Sequence, residues 1–155
     1  MEINVLIADE FKGRMTKRRL AAVAGQVLIA EKAGNNIEIG ILITGQESIH
    51  DLNKVYRGKD RPTDVLSFYM NPEEPQEPAD IFVTPPDNIR HIGEVIVSYP
   101  QALIQARENK HSVQKEVTIL LVHGILHLLG YDHEKSISEE KRMREREVKI
   151  LKILT

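Results

Sequence analysis

Apolar residues change rhythm from segment to segment along the chain, and each change marks an element. Ile3 to Ala8 is a short apolar strand; Leu20, Val23, Ala24, Val27 and Leu28 then recur at helical spacing until Gly34-Asn35-Asn36 ends that helix. A second strand is predicted over Ile37 to Thr44, a helix over Glu47 to Tyr56, and strands over Val65 to Met70 and Gly93 to Ser98, the latter β-branched and alternating. Pro100 fits the first turn of a helix through about Asn109, and a further helix runs from about Ser112 to Leu129, closed by Gly130. The last helix begins near Ser136, where Ser136-Ile137-Ser138-Glu139 has capping-box spacing, and Met143, Ile150, Leu151 and Leu154 give it a partial apolar stripe.

Strands mixed with helices in this order predict a single α+β domain over 1–155, with a mixed sheet of about four strands and helices packed on it. Between Asn71 and Ile92, Pro72, Pro75, Pro78, Pro85 and Pro86 exclude a regular helix and point to a long loop, with one short edge strand at Ile81 to Val83. No cysteine is present, so a metal site must rest on histidine and carboxylate. The first ten residues lack the basic and apolar regions of a signal peptide, and no apolar run is long enough to span a membrane, which makes the cytoplasm the expected location. A formal net charge of −2 carries no global signature of nucleic-acid binding. Lys12, Arg14, Lys17, Arg18 and Arg19 cluster ahead of the first helix, either as a phosphate-attracting patch or as a solvated helix start.

The chemistry is concentrated between His123 and His133, which read His-Gly-Ile-Leu-His-Leu-Leu-Gly-Tyr-Asp-His, spacing H-x-x-x-H-x-x-G-x-x-H. Two histidines four apart share one helix face, and the glycine three residues on lets the chain turn so that a third imidazole can approach. Val117, Ile119, Leu120, Leu121, Val122, Ile125, Leu126, Leu128 and Leu129 surround them, so this is a buried central helix whose imidazoles need partners. Three histidines on one ion leave a coordination position open for water or substrate, the arrangement of a catalytic rather than a structural zinc. Metzincin proteases share the spacing but carry glutamate directly after the first histidine as general base; here that position is Gly124, which removes the basis for a peptidase.

Three segments together resemble the YbeY endoribonucleases: His123 to His133, Asn53 to Phe68 (Asn-Lys-Val-Tyr-Arg-Gly-Lys-Asp-Arg-Pro-Thr-Asp-Val-Leu-Ser-Phe), and Gly93-Glu-Val-Ile-Val-Ser98. The resemblance covers nearly the whole chain. It implies a metal-dependent endoribonuclease of single-stranded RNA, acting in rRNA maturation at the 16S 3′ end and in ribosome quality control. By that resemblance His123, His127 and His133 would hold one zinc or similar transition-metal ion, and Arg57 would be the basic residue of catalysis. RNA of the small ribosomal subunit and ribosome-assembly proteins would be its partners. The chain departs from the family at Glu94, where aspartate is usual, and at Tyr69, where proline is common.

Arg57 suits the charge that builds on a phosphate because its planar fork grips two oxygens at once; the competing assignment is a surface ion pair. Asp132, Asp64 and Glu94 are candidate partners for orienting an imidazole, although Asp64 in Pro-Thr-Asp equally suits a turn. No general base is identifiable. Two other functions fit the same residues: a ribosome-assembly factor with a structural metal, and a hydrolase of small phosphodiesters.

Overall fold

A computed structural model describes residues 1–69, 89–132 and 134–154. Its strands are β1 (Glu2–Ile7), β2 (Ile37–Thr44), β3 (Val65–Tyr69) and β4 (Arg90–Ser98). Its helices are α1 (Lys17–Ala30), α2 (Gln46–Arg57), α3 (Tyr99–Glu108), α4 (Val113–Leu128) and α5 (Ile137–Leu154). Among the described residues the strands form one sheet in the order β1-β2-β4-β3, in which β1, β2 and β4 are parallel and β3 runs antiparallel beside β4. Among the described residues the predicted α+β fold with a mixed four-stranded sheet is what forms. Met70 and the proposed edge strand Ile81 to Val83 lie outside the described residues, as does most of the predicted proline-rich loop.

Side-chain alternation divides the core between the two faces of the sheet. Ile37, Ile39, Ile41, Ile43, Val95 and Val97 join Leu20, Val27 and Leu28 of α1 and Leu121, Ile125 and Leu126 of α4 in the main core. The other face is smaller: Leu66 and Ile96 meet Ile49 of α2, with Leu42, Leu52 and Phe68 packed around them. Helices α1, α4 and α5 therefore layer on one side and α2 on the other. None of the described helices is long and apolar enough to cross a membrane.

Two boundaries differ from the sequence prediction for local reasons. Helix α1 stops at Ala30, before Gly34, because Lys32 takes a left-handed φ of 54° and the Ala33 N–H folds back onto Leu28 O at 3.0 Å. Strand β4 starts at Arg90 and runs through Gly93, where the pairing with β2 steps from Glu38–His91 to Ile39–Gly93 and leaves Ile92 as an extra residue. Gly93 has φ 134°, and a Cβ there would sit 1.9 Å from Phe68 O, so only glycine lets β3 pair at this point.

Candidate metal centre

Helix α4 is capped by Ser112, whose hydroxyl accepts from Lys115 N–H at 3.1 Å. It runs toward the end of the sheet at which β4 begins, since Gly124 lies against Val95 and Leu128 against Gly93. Nearly every residue from Leu120 to Leu128 is buried; His123 and His127 are the two that stay partly open, one turn apart on the same stripe. Their ring centres lie 5.0 Å apart with the planes at 76°. Two imidazoles bound to one ion at about 2.0–2.1 Å in tetrahedral geometry put their ring centres about 5 Å apart, so the pair fits a shared metal. His133, the third expected ligand, lies outside the described residues, and among the described residues no group of three His, Asp or Glu is arranged to hold an ion.

Gly124 explains why this helix carries no glutamate between its histidines. A Cβ at Gly124 would lie 2.6 Å from Val95 Cγ1, 3.2 Å from Val95 Cγ2 and 3.2 Å from Ser67 Oγ. The Ser67 hydroxyl also donates to Gly124 O at 2.9 Å, seating the helix directly on β3 and β4. The position a metzincin gives to its general base is here a contact surface with no room for a side chain.

The imidazole partner that sequence reasoning sought is Glu147, on α5: its Oε1 accepts from His123 Nδ1 at 2.6 Å. None of the three carboxylates considered from the sequence takes that place. Asp64 Oδ1 accepts from Val65 N–H at 2.8 Å and from the Thr63 hydroxyl, so it holds the turn into β3. Glu94 alternates with Val95 and so faces away from α4, over Gly40. Asp132 Oδ1 accepts from Glu134 N–H at 2.9 Å and shapes the turn after α4. Glu147 was legible only as an acidic residue on the Met143–Ile150 stripe of the last helix, where an apolar one belongs.

The turn that leads to His133 is tied down on both sides. The buried Tyr131 donates its hydroxyl to Glu31 Oε2 at 2.9 Å, Arg146 Nε donates to Glu31 Oε1 at 2.7 Å, and the Arg142 guanidinium stacks 4.6 Å from the Tyr131 ring centre. Glu31 follows α1 directly, so the end of α1, the end of α4 and the middle of α5 meet here.

Arg57 ends α2. Gly58 closes the helix at φ 68°, with Gly58 N–H to Lys54 O at 3.1 Å and Lys59 N–H to Asn53 O at 3.2 Å. The buried Asn53 side chain donates to Arg61 O at 2.8 Å and so fixes the loop that follows. The Arg57 guanidinium and the Asp132 carboxylate both act on the Tyr69 phenol: burial raises its pKa, Asp132 raises it further and Arg57 opposes them. Arg57, the end of β3 and the turn after α4 thus share one end of the sheet. Among the described residues no carboxylate forms an ion pair with Arg57. Exposed aromatic residues lie at the same end of the sheet: Tyr56 is 67% exposed, its ring edge-on to Phe68 at 5.3 Å, and Tyr69 is 57% exposed.

The basic cluster at the start of α1 belongs elsewhere. Lys12 pairs with Asp9 at 2.7 Å, and Lys17, Arg18 and Arg19 are exposed in the first turn. Because the other end of α1 meets Tyr131, these residues lie a helix length, about 20 Å, from the turn after α4.

Comparison with known proteins identifies the family. The family profile described as endoribonuclease YbeY matches residues 6–155. A Dehalococcoides mccartyi protein named endoribonuclease YbeY is 54% identical over 141 residues, covering 90% of this chain and 82% of its own. One of the same name from Chloroflexus aurantiacus is 46% identical over 131 residues, covering 84% and 82%. The solution structure of a Thermotoga maritima protein superposes with a TM-score of 0.58 at 28% identity, over 96% of this chain and 86% of that one. The chain belongs to the YbeY family of endoribonucleases, hydrolases that act on RNA.

Proposed function

We propose that the chain cleaves single-stranded ribosomal RNA during maturation of the small subunit, in the cytoplasm, with His123, His127 and His133 holding one zinc-like ion and Arg57 contacting the scissile phosphate. The observation that carries this reading is the spacing of His123 and His127, 5.0 Å between ring centres on a buried helix, at the sheet end that also bears Arg57. A bound ion supplies Lewis-acid chemistry, lowering the pKa of a water to about 7 or polarising a phosphoryl oxygen.

The chain's own residues do the rest. Glu147 holds the His123 ring, and the Ser67 contact seats the turn between the two histidines. Arg57, fixed at a helix end by the Gly58 cap, presents a planar fork to two phosphate oxygens as their charge grows. Tyr56 and Tyr69 offer exposed rings on which unpaired bases stack, a surface that suits single strands better than a duplex with its bases already stacked. Elemental analysis of purified protein, combined with cleavage of a single-stranded rRNA fragment by wild type and His127→Ala, tests the reading. Zinc at one ion per chain, with both metal and cleavage lost in the variant, is the expected result; a metal-free wild type that cleaves and binds no added zinc refutes it.

A further inference from the structure

Helix α5 buries a stripe on which Met143 and Ile150 are each only 1% exposed, and Glu147, four residues after one and three before the other, shares that face. A carboxylate among apolar neighbours costs free energy unless it is bonded, and an aliphatic side chain would continue the stripe without that cost. Glu147 is bonded, across 24 residues of sequence, to the Nδ1 of His123, with the two side chains 23% and 30% exposed.

The direction of this bond matters. A carboxylate has only acceptor atoms, so the hydrogen between the two groups belongs to Nδ1. A neutral imidazole carries one hydrogen; placing it on Nδ1 puts the metal-binding lone pair on Nε2, across the ring. We infer that Glu147 is a positioning residue that selects Nε2 of His123 as the metal-binding nitrogen and fixes the ring plane in which it points. This inference rests on His123 being a ligand. Glu147 is not itself a fourth ligand, because it sits on the Nδ1 side of the ring and must give up its bond to reach an ion on the other. The C-terminal helix, which carries none of the expected ligands, is thereby part of the centre.

The test uses the full chain as wild type, Glu147→Ala, Glu147→Gln and His123→Ala, with circular dichroism confirming the fold of each. Zinc affinity is read by competition with a chromophoric chelator, and the His123 tautomer by long-range nitrogen–proton NMR of the metal-free protein. Glu147→Ala is expected to bind zinc about 10–100-fold more weakly and to lose the Nδ1–H pattern. Glu147→Gln keeps an acceptor oxygen and is expected to restore both readouts most of the way. Wild-type affinity and tautomer in Glu147→Ala, beside lost binding in His123→Ala, overturn the inference and leave the ligand assignment standing. Wild-type affinity in His123→Ala removes the ligand assignment, and this inference with it.

Discussion

Gly124→Ala pits two effects of opposite sign against each other, and the structure decides between them. In an isolated helix the change is favourable by about 1 kcal/mol, because glycine costs that much backbone entropy relative to alanine. Here the new Cβ would stand 2.6 Å from Val95 Cγ1, inside any normal carbon–carbon contact. Val95 is fully buried, and its second methyl already lies 3.2 Å from the same point, so turning χ1 exchanges one clash for another. The helix must move off the sheet instead, straining the Ser67–Gly124 hydrogen bond. Overpacking costs about 1–3 kcal/mol; a 2.6 Å approach to a fully buried side chain belongs in the upper part of that range, about 2–3 kcal/mol, so the net loss after the propensity gain is about 1–2 kcal/mol.

Thermal unfolding of the metal-free protein is the assay, since bound metal would add its own linkage. For a chain of this size each kcal/mol shifts Tm by about 2–4 °C, so a fall of roughly 2–8 °C is expected. Val95→Ala alone should cost about 2 kcal/mol through two lost methyl groups and the cavity they leave. The double variant should be more stable than the sum of the singles by about 1 kcal/mol, since Val95→Ala removes the methyls that Gly124→Ala meets. A Gly124→Ala protein as stable as wild type, or strict additivity with Val95→Ala, refutes the argument that this glycine is kept for close approach.

Arg57→Ala should fold normally and retain zinc, while cleavage of single-stranded RNA falls by about a hundredfold or more, the scale for one lost charged contact in the transition state; lysine should restore it only in part. Near wild-type cleavage in the alanine variant would return Arg57 to a surface role. Tyr131→Phe should cost about 1 kcal/mol in chemical denaturation for the lost Glu31 bond, a modest sum because Arg146 still satisfies Glu31, and an unchanged midpoint would show that the clamp adds nothing. The zinc-loaded wild type should cleave no peptide in a general casein or fluorogenic-peptide assay, because the place of the protease base is filled by the Val95 contact; robust metal-dependent proteolysis would contradict that.

What the sequence made legible was what depends on short-range pattern. The limits of β2, the Pro100 start of α3, the start of α4 near Ser112 and its buried character follow from neighbours within a few residues, and so does the pairing of His123 with His127 one turn later. What it hid is non-local. The reach of β4 back to Arg90 depends on a bulge at Gly93 that only strand pairing reveals. The choice of Glu147 over Asp64, Glu94 and Asp132 depends on where α5 crosses α4, 24 residues further along the chain. Glu94 and Asp132 looked suitable because each adjoins a recognisable motif, yet strand alternation points one away and a local turn occupies the other.

One packing choice links these findings. A helix that presses its backbone onto a sheet gains a rigid seat for the histidines one residue before and three residues after the contact. The same closeness denies position 124 any side chain able to take a proton. In the proposed reading, every other function of the centre comes from elements beside α4: ring orientation from Glu147 on α5, the phosphate contact proposed for Arg57 at the end of α2, and restraint of the turn after α4 from Glu31, Arg142 and Arg146. These groups converge only when the helices on both faces are packed against the sheet. The centre is accordingly a property of the folded domain, and loosening α5 should weaken it even with every histidine in place.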